Sequence, residues 1–231
     1  MDIQGLQKLT LLDYPGKVAC TVFLAGCNFR CPFCHNASLV THVDPADHIP
    51  EEEILAFLKK RSGVLDGVCI TGGEPLLTRG LEEFILKIKE MGYLIKLDTN
   101  GSNPEMLKHL VRKGTVDYVA MDVKNVPEKY GMTVGIDGYN PENIRNSVDF
   151  LLTGEVPYEF RTTVVREFHK REDFEGLGKW LTGARRYYLQ GFVDSGDLIC
   201  PGLRAYTADI MKQALEIVRK YIPGAELRGV E

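Results

Sequence analysis

Apolar positions along the chain fall into two spacings. Residues 18–25 (Val-Ala-Cys-Thr-Val-Phe-Leu-Ala) are apolar on both faces, as a buried parallel strand should be. Short runs of this kind recur at Val68–Thr71, Tyr93–Leu97, Asp117–Asp122, Tyr158–Val165 and Tyr187–Phe192. Between them the period lengthens to that of a helix. Glu51–Ser62 places Ile54, Leu55 and Leu58 on one face, with acids at the positive end of its dipole. Residues 79–91 place Leu81, Phe84, Ile85, Ile88 and Met91 on another. Pro104–Lys113 opens on a proline and is followed by Gly114. Asn140-Pro141 and Gly154 bracket a helix with Ile144, Val148 and Leu151 on one face; another is predicted near 172–182. Thr207 caps a last helix running to about Tyr221, stopped by Pro223-Gly224. Residues 126–139, rich in glycine and turn formers, read as a loop, either static or a mobile lid.

Six strands alternating with helices predict a parallel α/β sheet, open or rolled into a barrel. Either form does its chemistry beyond the C-terminal strand ends. Unusual polar residues cluster there. The first strand is followed by three cysteines and the second by Thr71-Gly72-Gly73-Glu74-Pro75. The third ends in Asp98-Thr99-Asn100-Gly101 and the fourth in Asp122-Val123-Lys124-Asn125. The fifth carries Arg161, and the sixth ends around Gln190. Alone, Asp-Thr-Asn-Gly is an ordinary turn. Its recurrence in the same strand-end position as the other polar segments points to one shared rim.

The 231 residues predict a single domain over 1–231, with a core of about 16–200 and a C-terminal helix of about 206–222. A net charge of −4 argues against a general nucleic-acid binder. No apolar run is long enough to span a bilayer, and the N-terminus does not read as a signal peptide, so the expectation is a cytoplasmic protein that uses no membrane. Six cysteines are too few for a disulfide scaffold. Cys20 and Cys69 lie in apolar segments, where a free thiol packs as a small hydrophobe; Cys200 has no assigned role.

Cys27, Cys31 and Cys34 lie within eight residues. Three thiolates from one loop can ligate three irons of a cubane, leaving the fourth iron open to a small molecule. Gly26 permits a sharp exit from the strand, and Pro32 stiffens the chain between two ligands. Structural zinc is the alternative. It needs a fourth ligand, and His35, next to Cys34, would be cramped, which leaves His42 or His48.

The stretch Cys27-Asn28-Phe29-Arg30-Cys31-Pro32-Phe33-Cys34-His35-Asn36 resembles the signature of the radical SAM (S-adenosylmethionine) enzymes, whose last cysteine usually follows an aromatic residue. Gly72-Gly73-Glu74-Pro75 resembles their second motif. Asp-Thr-Asn-Gly and Asp-x-Lys are similar to those of the glycyl radical enzyme activases. Within that group, Leu12-Asp13-Tyr14-Pro15-Gly16, Phe160–Val165 and Glu226-Leu227-Arg228-Gly229 look most like the activating proteins of anaerobic ribonucleoside-triphosphate reductase.

This resemblance implies a partial (β/α)6 TIM-like barrel and a radical SAM oxidoreductase. It implies a 4Fe–4S cluster on Cys27, Cys31 and Cys34 that binds S-adenosylmethionine and, once reduced, cleaves it to a 5′-deoxyadenosyl radical. Phe33 and His35 would line the adenine side, and Gly72, Gly73 and Glu74 would meet the methionine amino group. Lys124, Arg161 and Gln190 would contact ribose or carboxylate. Asp98 and Asp122, with backbone oxygens of Thr99 and Ala120, would hold a monovalent cation beside the methionine carboxylate. The implied partners are a glycyl radical enzyme as protein substrate and a flavodoxin or ferredoxin as electron donor. Two departures stand out. Formate-lyase activases carry a histidine after the sixth strand, where this chain reads Leu189–Gly196 without one, and no second cysteine-rich cluster domain follows the first strand. The alternatives are activation of another glycyl radical enzyme such as a formate-lyase-like one, radical chemistry on a small molecule, and a non-catalytic zinc or cluster module.

Overall fold

The computed structural model describes residues 1–230. Its sheet has eight strands in chain order: β1 (Ile3–Thr10), β2 (Ala19–Leu24), β3 (Gly67–Gly72), β4 (Leu94–Thr99), β5 (Tyr118–Asp122), β6 (Tyr158–Val164), β7 (Tyr187–Gly191) and β8 (Ala225–Arg228). β1 runs antiparallel to β2, and every later pair is parallel. The connections carry α1 (Ser38–Thr41), α2 (Glu51–Lys60), α3 (Leu81–Glu90), α4 (Pro104–Arg112), α5 (Tyr130–Val134), α6 (Glu142–Leu152), α7 (Arg171–Trp180) and α8 (Ala208–Arg219). This is the α/β fold with a parallel sheet that the periodicity predicts, in the form of a partial barrel.

Strand alternation divides the side chains into two sets. Val22 and Leu24 of β2, Val68 and Ile70 of β3, Ile95 and Leu97 of β4, Val119 and Met121 of β5, and Phe160 of β6 belong to the main core. The helices complete that core with their apolar stripes, such as Leu81, Phe84, Ile85 and Ile88 of α3. The opposite parity (Thr21, Cys69, Lys96, Asp98, Asp122 and Arg161) carries nearly all the polar residues of the sheet. Tyr14, Ala19, Cys69 and Tyr118 form a small apolar cluster near the N-terminal strand ends, with the Tyr14 and Tyr118 ring centroids 5.9 Å apart. The loop after β1 thus plugs one end of the barrel, and the functional rim lies at the other.

Three features depart from the sequence reading. Two further strands, β1 and β8, raise the count from six to eight and form the sheet edges. β1 is amphipathic and half exposed, so it lacks the uninterrupted apolar run of a central strand, and β8 has four residues. Within 126–139 lies α5, with Tyr130, Thr133 and Val134 buried, rather than a loop throughout. It packs beneath the cysteine segment. Arg30 N donates to Val134 O at 2.9 Å, and a Cβ on Gly135 would come within 2.3 Å of Arg30 O.

The β3 exit is interlocked with the β2 exit. A Cβ at Gly73 would lie 1.9 Å from Gly26 O, and the Glu74 amide donates to that same oxygen at 2.8 Å. Gly73→Ala is therefore expected to cost more than about 2 kcal/mol, because backbone must shift on both sides. Gly63→Ala, at a positive-φ turn with open space around it, should cost about 1 kcal/mol. Chemical denaturation of the two variants checks the difference.

Candidate active site

The C-terminal strand ends enclose a cavity of about 410 Å³. The three cysteines line it, together with Phe33 and His35 from the same loop, Gly72 and Gly73 after β3, Asp98 and Thr99 of β4, Asp122 of β5, Lys124, Arg161 of β6 and Gln190 of β7. Segments separated by up to 163 positions thus meet at one mouth, as the strand-end pattern predicts.

All three cysteines are free thiols; Cys31 is buried, and Cys27 and Cys34 are partly exposed. Burial pushes the Cys27 thiol up and the Cys31 thiol up to about 12, although Lys124 pulls both down. Ligation therefore has to displace protons. Among the described residues no three His, Cys, Asp or Glu side chains converge on one ion. A cubane takes each thiolate on a different iron and asks for thiols spread along a loop, which this segment supplies. The loop is well supported. Phe29 N donates to Cys27 Sγ at 3.3 Å, and Asn100 Nδ2 approaches that sulfur at 3.7 Å while donating to Asn28 Oδ1 at 3.0 Å. His35 stacks on Phe192 with centroids 5.7 Å apart, and burial lowers its pKa, which keeps the ring neutral near pH 7.

Glu74 and Ala120 do not line the cavity. The Glu74 carboxylate is turned into the protein, 1% exposed. It accepts from Thr99 Oγ1 at 2.7 Å, Asn100 N at 2.6 Å and Leu76 N at 3.1 Å. Burial pushes its carboxyl up to about 7 in spite of these donors. Glu74 is a strut tying the β3 exit to the β4 exit. Gly72 and Gly73 let the β3 backbone close on Leu24 and Gly26.

One wall of the cavity is an ion cluster. Arg161 bridges two strands, its Nε donating to Asp122 Oδ1 at 2.9 Å and its Nη1 to Asp98 Oδ2 at 3.0 Å. Lys96 Nζ pairs with Asp98 Oδ1, and Lys124 Nζ donates to Asp122 Oδ2 at 2.9 Å. Burial alone would raise both carboxyls; Arg161, with Lys96 on Asp98 and Lys124 on Asp122, holds them below the usual carboxylate range. Burial likewise opposes charge on Arg161 and Lys124, and the carboxylates outweigh it.

Lys124 is itself held in place. His169, fully buried, accepts from Val165 N at Nδ1 (3.1 Å), which leaves Nε2 to donate to Lys124 O at 2.9 Å. Tyr130 Oη accepts from Lys124 N at 3.2 Å. Sequence reasoning placed Asn100 at the rim without a role and missed Lys96, Tyr130 and His169. Lys96 carried a legible signal: a lysine two places before Asp98 in a strand shares its face.

Residues 21–181 match the Radical SAM superfamily, and the chain belongs to that family. Its cofactors are accordingly a 4Fe–4S cluster and S-adenosylmethionine, and it is an enzyme. A relative from Methanocaldococcus jannaschii, named provisionally as a glycyl-radical enzyme activating enzyme, is 32% identical over 99% of this chain and 96% of its own. The pyruvate formate-lyase-activating enzyme of Clostridium pasteurianum is 33% identical over 54% of this chain and 53% of its own. In fold the chain is similar to Streptococcus suis SuiB bound to S-adenosylmethionine, with a TM-score of 0.70, 14% identity, and coverage of 89% of this chain and 49% of that one. No helix is long and apolar enough to cross a membrane among the described residues.

Removing the Arg161 guanidinium, as in Arg161→Met, leaves two buried carboxylates short of a partner. It should cost about 3–5 kcal/mol at pH 7.5. The wild-type gain comes from carboxyls whose folded pKa is lowered. It is present above their unfolded pKa near 4 and fades as pH falls below it. The deficit of the variant should therefore narrow in acid, which urea titrations from pH 7.5 to pH 3.5 would measure.

Proposed function

We propose that this chain is a glycyl radical activase: it uses S-adenosylmethionine and a 4Fe–4S cluster to place a radical on a backbone glycine of a partner enzyme. The observation that carries the reading is the meeting of three free thiols and a wall of paired charges in one cavity. Cys27, Cys31 and Cys34 would hold the cluster. The cluster and sulfonium ligand, when bound, supply one-electron cleavage to methionine and a 5′-deoxyadenosyl radical that takes a hydrogen atom. The chain's own residues bind and orient. Lys124 and Arg161 present donors suited to a carboxylate, Phe33 and the neutral His35 offer ring faces to an adenine, and Gln190 offers a polar contact for ribose.

A peptide target is supported by the Methanocaldococcus relative, named for glycyl-radical enzyme activation, which is matched over nearly its whole length. A glycine, without Cβ, can enter a narrow mouth. Anaerobic ribonucleoside-triphosphate reductase is the favoured partner, on the motifs at residues 12–16, 160–165 and 226–229. Gln190, in the region where formate-lyase activases carry a histidine, weighs against a formate-lyase-like partner. The electron donor in this reading is a flavodoxin or ferredoxin.

Two outcomes check the proposal. Alanine at Cys27, Cys31 or Cys34 should abolish loading of iron and sulfide under anaerobic reconstitution, while alanine at Cys200 should leave about four irons per chain. Mixing the reduced, loaded protein with anaerobic ribonucleotide reductase and S-adenosylmethionine should yield a glycyl radical doublet by electron paramagnetic resonance. Cleavage of S-adenosylmethionine without that doublet, and with turnover of a metabolite, would favour the small-molecule reading.

A further inference from the structure

Similarity to the activases implies a monovalent cation between Asp98 and Asp122, and the residues present do not fit one. All four carboxylate oxygens already face protein cations. Asp98 Oδ1 meets Lys96 Nζ, and Asp98 Oδ2 meets Arg161 Nη1 at 3.0 Å. Asp122 Oδ1 meets Arg161 Nε at 2.9 Å, and Asp122 Oδ2 meets Lys124 Nζ at 2.9 Å. Ala120, whose backbone oxygen the cation would need, sits inside the sheet, paired with Asp98 on one side and Glu159 on the other. The cation would compete with three tethered charges for acceptors they already use.

The charge balance indicates what takes its place. Within the hydrogen-bonded group itself, Lys96, Arg161 and Lys124 against Asp98 and Asp122 leave one net positive charge. Without Lys96 the group would be neutral, and a carboxylate arriving at it would find no surplus charge unless a free cation came too. Lys96 lies below the cavity wall, its side chain 1% exposed against 16% for Lys124. An ammonium so removed from water is costly unless a compact ionic group compensates it. Glu159 pairs with Arg228 at 3.0 Å, and Asp13, the remaining acid lining the cavity, keeps its charge outside this hydrogen-bonded group, held by Thr21 Oγ1 of β2 at 2.6 Å, two strands from Lys96.

We propose that the Lys96 ammonium is a built-in replacement for the monovalent cation, supplying the surplus charge with which this site receives the carboxylate of S-adenosylmethionine. Lys96 acts through Asp98 and Arg161 and is a positioning residue. The inference rests on the proposed binding of S-adenosylmethionine, and one arm of its test does not.

The test compares potassium, sodium and tetramethylammonium chloride at equal ionic strength. The affinity of anaerobically reconstituted wild-type protein for S-adenosylmethionine should agree within about twofold among the three salts. A tenfold or greater gain in potassium or sodium would overturn the proposal. Lys96→Met should bind at least tenfold more weakly in tetramethylammonium and recover in potassium. A folded Lys96→Met protein that binds as tightly as wild type without potassium would overturn it as well. The second arm follows thermal unfolding of the cluster-free wild-type protein in the same salts and needs neither the variant nor the ligand. Equal midpoints support the proposal, and a saturable rise with sodium or potassium alone contradicts it. Failure to bind S-adenosylmethionine in any salt would sink the proposed function, and the unfolding series would still decide the question of the cation.

Discussion

Arg161 is the residue on which the barrel interior turns. It reaches across from β6 to one carboxylate on β5 and another on β4, so three strands share one guanidinium. Placing such charges away from water costs several kcal/mol per ion before pairing, and a planar fork with two bidding acceptors is the geometry that offsets it. The arrangement also fixes register. Asp98 lies opposite Ala120, and Asp122 opposite Arg161; a slip of one residue on any of these strands would turn its charge toward the apolar helix layer. The ionic cluster is thus a specificity device for the fold as well as the wall of its cavity.

Around that cluster the site is supported from outside. Glu74 ties the glycine turn after β3 to Thr99 and Asn100 after β4, and Asn100 in turn reaches Asn28 and the Cys27 sulfur. The backbone on either side of Lys124 is held by His169 and Tyr130. Thr99 and Lys124, which line the cavity, lean on Glu74, His169 and Tyr130, which do not, and this is how strand-end loops, usually the mobile part of such folds, come to hold a fixed geometry.

Much of this was legible in the sequence. Buried strands and amphipathic helices announce themselves by period, and the strand-end rule locates Asp98, Asp122, Lys124 and Arg161 before any coordinate. What stayed hidden has physical causes. β1 is an edge strand and shows half-polar alternation instead of an apolar run. α5 has only five residues, too short for its period to show against the glycines beside it. The inward turn of Glu74 was not legible because a motif gives residue type and place but not side-chain direction. Lys96 was overlooked because a lysine inside a strand is ordinarily taken for a solvent-facing residue, and only the alternation with Asp98 reveals otherwise.

The contact between Gly73 and Gly26 has one more consequence. Because the carbonyl that leads into the cysteine segment is also the acceptor for the Glu74 amide, the path of that segment is set by the same packing that closes β3 against β2. A cluster held there, as proposed, would meet a cradle moulded in advance, the entropy of shaping it having been spent during folding and not during metal uptake. Oxidative loss of the metal would then leave an empty mould ready for refilling, and repair of the centre would not require the chain to fold again.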